Sequence, residues 1–146
     1  VSKYDVTRLK RAYNDFLLIS NRFKGSKYAN DAENRLVFLR NSMANHEVYI
    51  ANYYLKRGAF IASTERAKYM LETYPGAPAS RDALKVLIES YNKLGSTNLA
   101  IETAKVLTAN FSNYTYTIDK NDLVVIKNES VDTVVDESSF FDFGLF

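Results

Sequence analysis

The sequence predicts a mainly α fold: an α-solenoid of helical hairpins, followed by a short extended or β-hairpin arm. Three observations carry that expectation. A set of residues recurs at a constant offset, which marks a repeat. Small residues stand i, i+4 inside each copy, and beyond residue 111 the composition turns to β-branched residues. Counting forward 37 residues from Tyr54, Gly58, Ser63, Ala67, Met70 and Tyr74 lands on Tyr91, Gly95, Ala100, Ala104, Leu107 and Phe111. Counting back 51 residues from Ser63, Ala67, Met70 and Tyr74 lands on Ala12, Phe16, Ile19 and Phe23. About three copies follow, the first of them truncated.

The elements can be justified in order. The first copy supplies one helix, ending at Phe23 and Lys24-Gly25. Between Gly25 and Gly58 there is no Gly or Pro, and Ala32, Leu36, Leu39, Met43, His46, Ile50 and Tyr53 follow one another in alternating steps of four and three. That unbroken phase predicts a single long helix over about 26–57, shared between two hairpins, with a kink near Asn41-Ser42 or Asn45 as the alternative. Glycine tolerates the left-handed conformation that ends a helix, so Gly58 and Gly95 turn the chain back on itself. In the second helix of each hairpin, Ser63 and Ala67, or Ala100 and Ala104, line one stripe where two backbones approach closely. The closing aromatics, Phe23, Tyr74 and Phe111, are expected to seal each hairpin against its neighbour, and Pro75 stops the helix before it. Ser80 is expected to cap the next helix, with Asp82 favourably placed in its first turn. Repeats of about 34 residues with this placement of aromatic, Leu-Gly and Ala residues are the tetratricopeptide pattern, and "YNKLGSTNLAIETAKVL" (91–107) fits it.

Two domains are expected, a repeat domain over 1–111 and an acidic, aromatic arm over 112–146. In the arm, 114–118 and 123–127 read as strands around the turn Asp119-Lys120-Asn121-Asp122. An isolated hairpin is marginal in water, so it should pack on the helices or pair with another chain. The tail "FFDFGLF" (140–146) places four phenylalanines together, and intramolecular packing is the simplest cover for them.

Composition excludes several classes of function. The net charge of +2 divides into +6 over residues 1–74 and −5 over residues 112–146, a contrast read first as a solvated acidic tail, with a tail that folds back on the basic repeats or meets a basic partner as the alternative. The positive charge is too scattered for nucleic acid. No apolar run approaches the eighteen or so residues of a membrane span. There is no cysteine, hence neither disulfide nor thiolate chemistry. His46 is the single histidine, and Ile50 stands where a zinc-protease helix needs its second one, so His46 is read as a ring in a helix contact. Asp119 to Leu123 lacks the glycine of a calcium loop. The sequons at Asn110, Asn113 and Asn128 matter only in a eukaryotic secretory setting. No catalytic, cofactor-binding or metal-binding residue is assigned, and no cofactor is expected.

The segment "RLVFLRNSMANHEVYIANYYLKRGAFIASTERAKYMLETYPGAPASRDAL" (35–84) resembles the C-terminal half of the BamD family, the outer membrane lipoproteins of the β-barrel assembly machinery. The specific parts are "RLVFLRN", Ile50-Ala51-Asn52-Tyr53-Tyr54, Arg57-Gly58-Ala59, Arg66 ahead of Met70-Leu71, Tyr74-Pro75 and Arg81-Asp82-Ala83-Leu84. The likeness runs from about residue 8 to residue 111. It implies a non-enzymatic docking scaffold at the periplasmic face of the outer membrane, which holds the POTRA segment of BamA and further lipoprotein subunits. Membrane attachment would come only through a lipid anchor absent from this chain, which looks like a C-terminal fragment. The family's arginine that pairs with a BamA carboxylate falls on Arg66, and Tyr69 joins it as a partner-binding candidate. Arg66 is expected to point outward, so that Arg66→Glu would weaken docking with little loss of stability. Two other readings stay open at this point: a tetratricopeptide adaptor that clamps a peptide in its concave groove, and a regulatory domain of a larger enzyme.

Overall fold

A computed structural model describes residues 5–129. Five helices follow one another, α1 (Val6–Arg22), α2 (Lys27–Lys56), α3 (Phe60–Thr73), α4 (Ser80–Lys93) and α5 (Thr97–Asn110), and two strands close the order, β1 (Tyr114–Ile118) and β2 (Val124–Asn128). Each helix packs on the next, and α2 also touches α4. Gly25, Gly58 and Gly95 adopt φ of 81°, 77° and 72° at the turns between consecutive helices. These are left-handed values that strain any residue with a Cβ, so the glycine punctuation of the sequence fixes where each hairpin folds. Among the described residues no helix is long and apolar enough to cross a membrane.

The long helix is continuous over 30 residues and runs unbroken through Asn41, Ser42 and Asn45, about 45 Å at 1.5 Å per residue. Ser26 caps it, its hydroxyl accepting from the Ala29 N–H at 3.3 Å. The expected seam is inside: Ala32, Leu39, Met43 and His46 are buried, while Leu36, Ile50 and Tyr53 are half-buried. The C-terminal half of α2 has a second buried stripe, Ala44, Glu47, Val48 and Ala51, because α3 and α4 both lie against it.

The small-residue stripes do what their spacing requires. Ser63, Ala67, Ala100 and Ala104 are all fully buried, with Met70 and Leu107 packed beside them. Ser63 donates to the Ala51 carbonyl at 2.8 Å and accepts from the Ser90 hydroxyl at 3.2 Å, so one buried hydroxyl pair ties α2, α3 and α4 together. A buried hydroxyl without such partners would destabilise the contact.

Two local expectations are corrected. Ser80 is the first residue of α4 and not its cap; the cap position is Ala79, already in the right-handed helical region, with no side-chain hydrogen bond. The reason is packing: Ala77 and Ala79 are buried, and the Ser80 N–H donates to the Ala77 carbonyl at 2.9 Å, so the turn tightens one residue early. Phe23 does not seal a hairpin. It is 50% exposed, at the end of a helix whose main packing partner is α2, whereas Tyr74 is buried and Phe111 half-buried as expected.

β1 and β2 pair antiparallel, Tyr114 opposite Asn128 and Ile118 opposite Val124, one residue later on the second strand than the sequence suggested. The Asp119 carboxylate shapes the turn by accepting from the N–H groups of Asn121 at 2.8 Å and Leu123 at 3.0 Å. Tyr114 and Val124 are buried in the same core as the residues of α4 and α5. The aromatic tail at 140–146 and most of the acidic run lie outside the described residues.

Candidate functional site

The two predicted partner-binding residues lie on α3, and their surroundings come from α2 and from the turn after α3. The register between α2 and α3 is set by the Ser63 to Ala51 hydrogen bond. One helical turn further from the Gly58 bend, that register places Arg66 against Glu47. Their side chains form an ion pair, Arg66 Nη1 to Glu47 Oε2 at 3.1 Å. The Glu47 side chain is only 9% exposed, while that of Arg66 is 39% exposed. The expectation that Arg66 simply points outward is therefore corrected: its guanidinium is committed to a buried carboxylate, while the side chain as a whole stays 39% exposed.

Tyr69 lies three residues on, hence on the same helix face. Its ring centroid is 5.9 Å from the guanidinium carbon, close enough for a cation–π contact, and the residue is 43% exposed. Tyr74 sits behind them, at the end of α3, buried. Burial pushes its phenol pKa above the ordinary value of 10.0, with Tyr69 and Glu47 acting in the same direction and Arg40 opposing them. The Arg40 guanidinium donates to the Pro75 carbonyl, which holds the turn after α3 against α2. Arg66 and Tyr69 are thus neighbours on one rigid face rather than loose surface residues.

The raised phenol gives a testable sign. A group whose pKa is higher in the folded chain keeps its full stabilising contribution below the unfolded value and loses it as pH rises through the folded value. Stability is therefore expected to decline above about pH 10, and Tyr74→Phe should flatten that decline in urea titrations taken across the alkaline range. An unchanged slope in the variant would assign the alkaline loss to other groups.

Sequence reasoning missed Glu47, which fixes the geometry of the site. Its signal was present: Ala44, Val48 and Ala51 form a second stripe of small and apolar residues, and Glu47 falls on it. A carboxylate on a buried stripe needs a cation, and Arg66 supplies it. The ring of His46 is buried beside the same turn of α2, as its place on the seam predicted, and its Nδ1 has no hydrogen-bond partner among the described residues.

Comparison with known proteins points in one direction. The family model described as YfiO, outer membrane lipoprotein, matches residues 1–121, which takes in all five helices, β1 and the start of the hairpin turn. The outer membrane protein assembly factor BamD of Xylella fastidiosa (strain Temecula1) is 40% identical over 110 residues, 75% of this chain and 38% of the relative. The protein of the same name from Neisseria meningitidis serogroup A is 39% identical over 102 residues, 70% of this chain and 38% of the relative. That from Haemophilus influenzae is 35% identical over 106 residues, 73% of this chain and 40% of the relative. In each case the matched region is about two fifths of the relative's length.

Proposed function

The chain belongs to the YfiO family of outer membrane lipoproteins, and from that premise we propose that it is a non-enzymatic scaffold in outer membrane protein assembly. In this reading it works at the periplasmic face of the outer membrane, where it docks the POTRA segment of BamA and accessory lipoproteins. The family resemblance supports the partner, and the relatives' name, outer membrane protein assembly factor, supports the process. The observation that carries the site is the partly exposed side chain of Arg66, its guanidinium paired with Glu47 and lying over the ring of Tyr69.

The chemistry of that arrangement suits a docking surface. Arginine has five N–H donors in a fixed fork, and a pair with Glu47 uses only part of them. A guanidinium already oriented by a buried carboxylate loses less side-chain freedom when a second carboxylate, from a partner, approaches its open edge. Exposed Tyr69 adds a rigid aromatic surface beside the charge, and tyrosine with arginine is the combination that dominates binding energy at protein interfaces.

The test is capture of this chain by isolated POTRA segments of BamA from the same organism. Tyr69→Ala is the informative variant, because the residue is 43% exposed and its removal leaves the core intact. Affinity is expected to fall by about tenfold to a hundredfold, the loss of a hot-spot side chain, with the thermal midpoint nearly unchanged. Undiminished capture by Tyr69→Ala would move the dock away from this face. No capture by the folded wild type would instead favour a peptide clamp in the concave groove.

A further inference from the structure

We propose that the cleft between the α3–α4 turn and the C-terminal end of α5 receives the chain's own aromatic segment, residues 140–146. The cleft holds about 400 Å³, within the range of pockets that enclose organic groups. Its walls are largely apolar: Leu71, Pro75, Pro78, Leu84, Val106 and Phe111. Val106 is 48% exposed there, and Leu71 and Phe111 are half-buried, so the cleft is an apolar surface in want of a cover.

Three features select this occupant. The first is reach. The Glu129 N–H donates to the Asn113 carbonyl at 2.8 Å, and Asn113 is two residues beyond Phe111, so the chain leaves the described structure next to the cleft wall. Ten residues lie between Glu129 and Phe140, and the eleven steps across them span up to about 36 Å when extended. The second is chemistry. Residues 140–146 contain Phe140, Phe141, Phe143, Leu145 and Phe146, the aromatic and aliphatic groups that an apolar cleft desolvates well.

The third is charge. Residues 130–146 carry Asp132, Asp136, Glu137 and Asp142 and no Lys or Arg. α4 starts on the cleft wall at Ser80, but Asp82 already stands in its first turn, so the helix dipole adds little attraction for the tail. Arg40 donates to the carbonyl of Pro75, a residue of the cleft wall, and so places a cation beside the cleft.

The absence of cysteine allows a clean test in the full chain. Val106→Cys combined with Phe143→Cys places one thiol on the cleft wall and one in the tail. Lys105→Cys with Phe143→Cys is the control, since Lys105 is the adjacent residue, exposed, and turned about 100° away around the helix. Under copper-phenanthroline oxidation of dilute protein, the intramolecular disulfide of the Val106 pair is expected to form at least about five times faster than that of the control, because docking raises the local thiol concentration. A smaller ratio overturns the proposal, and so do disulfides that join two chains, which would make a second copy the source of the segment. Hydrogen exchange gives an independent reading: amides of 140–146 are expected to be protected in the wild type and to lose that protection in Val106→Glu. Equal exchange in the two overturns the proposal as well.

Discussion

Arg66→Glu is expected to cost the fold about 3–4 kcal/mol, far more than a surface charge reversal. The reason lies in Glu47, whose side chain is 9% exposed and pairs with Arg66 at 3.1 Å. Removing one partner of a buried pair leaves an uncompensated charge and typically costs about 3–5 kcal/mol. Because Arg66 is itself 39% exposed, water reaches part of the pair, and a neutral replacement such as Arg66→Met is expected to cost less, about 2 kcal/mol. A second carboxylate at 66 adds repulsion to that loss. Glu47→Gln removes the buried charge while leaving arginine half in water, and should cost about 1 kcal/mol. The double variant Glu47→Leu with Arg66→Leu replaces the pair by apolar groups and is expected to stay within about 1 kcal/mol of the wild type. Urea denaturation of these four variants checks the pattern. If Arg66→Glu lies within 1 kcal/mol of the wild type, Glu47 is reached by solvent and the pair is only a surface contact. The consequence for function is direct. Loss of docking in Arg66→Glu would mix a lost contact with a lost fold, so the double leucine variant is the one that isolates the contact.

The helices were legible because their signals are local. Gly58 and Gly95 end helices through their own backbone conformation, and Ala67, Ala104 and Ser63 mark close contacts through their own size. The same holds for the long helix, whose phase of fours and threes requires no knowledge of what packs on it. Features set by tertiary register were not legible in that way. Glu47 and Arg66 are nineteen residues apart, and only the α2–α3 register across the Gly58 turn brings them together. Arg66 was found through resemblance, its partner through geometry alone. Ser80 failed as a cap because burial of Ala77 and Ala79 outweighed its capping preference, and Phe23 failed as a seal because repeat spacing does not say whether a neighbour is there to cover it.

Tyr114→Ala is expected to destabilise the chain by about 3–5 kcal/mol, the range for truncating a large buried ring. Tyr114 is 5% exposed and sits with Val124 in the core shared with α4 and α5. A two-stranded hairpin has little stability of its own, so its order must come from this packing. The contacts are specific. Asn92 of α4 donates to the Val124 carbonyl at 2.9 Å and accepts from the Val124 N–H at 3.1 Å, which occupies the outer edge of β2 with a side-chain amide. The Tyr114 hydroxyl accepts from Asn128 at 3.2 Å, and the Lys85 ammonium lies 5.8 Å from the ring. Removal of that hydroxyl alone, in Tyr114→Phe, should cost only about 1 kcal/mol, since the ring and its buried area remain. A stack of helical hairpins leaves an apolar face at its last unit, and such arrays need a cap with a polar outer side. The hairpin covers the face of α4 and α5 with Tyr114 and Val124 and presents Thr117, Val125 and Lys127 outward. Amide exchange in α5 is therefore expected to accelerate in Tyr114→Ala before that in α2 does. If α5 keeps its protection, or if the variant loses less than about 1 kcal/mol, the hairpin is an appendage and the helices close their own end.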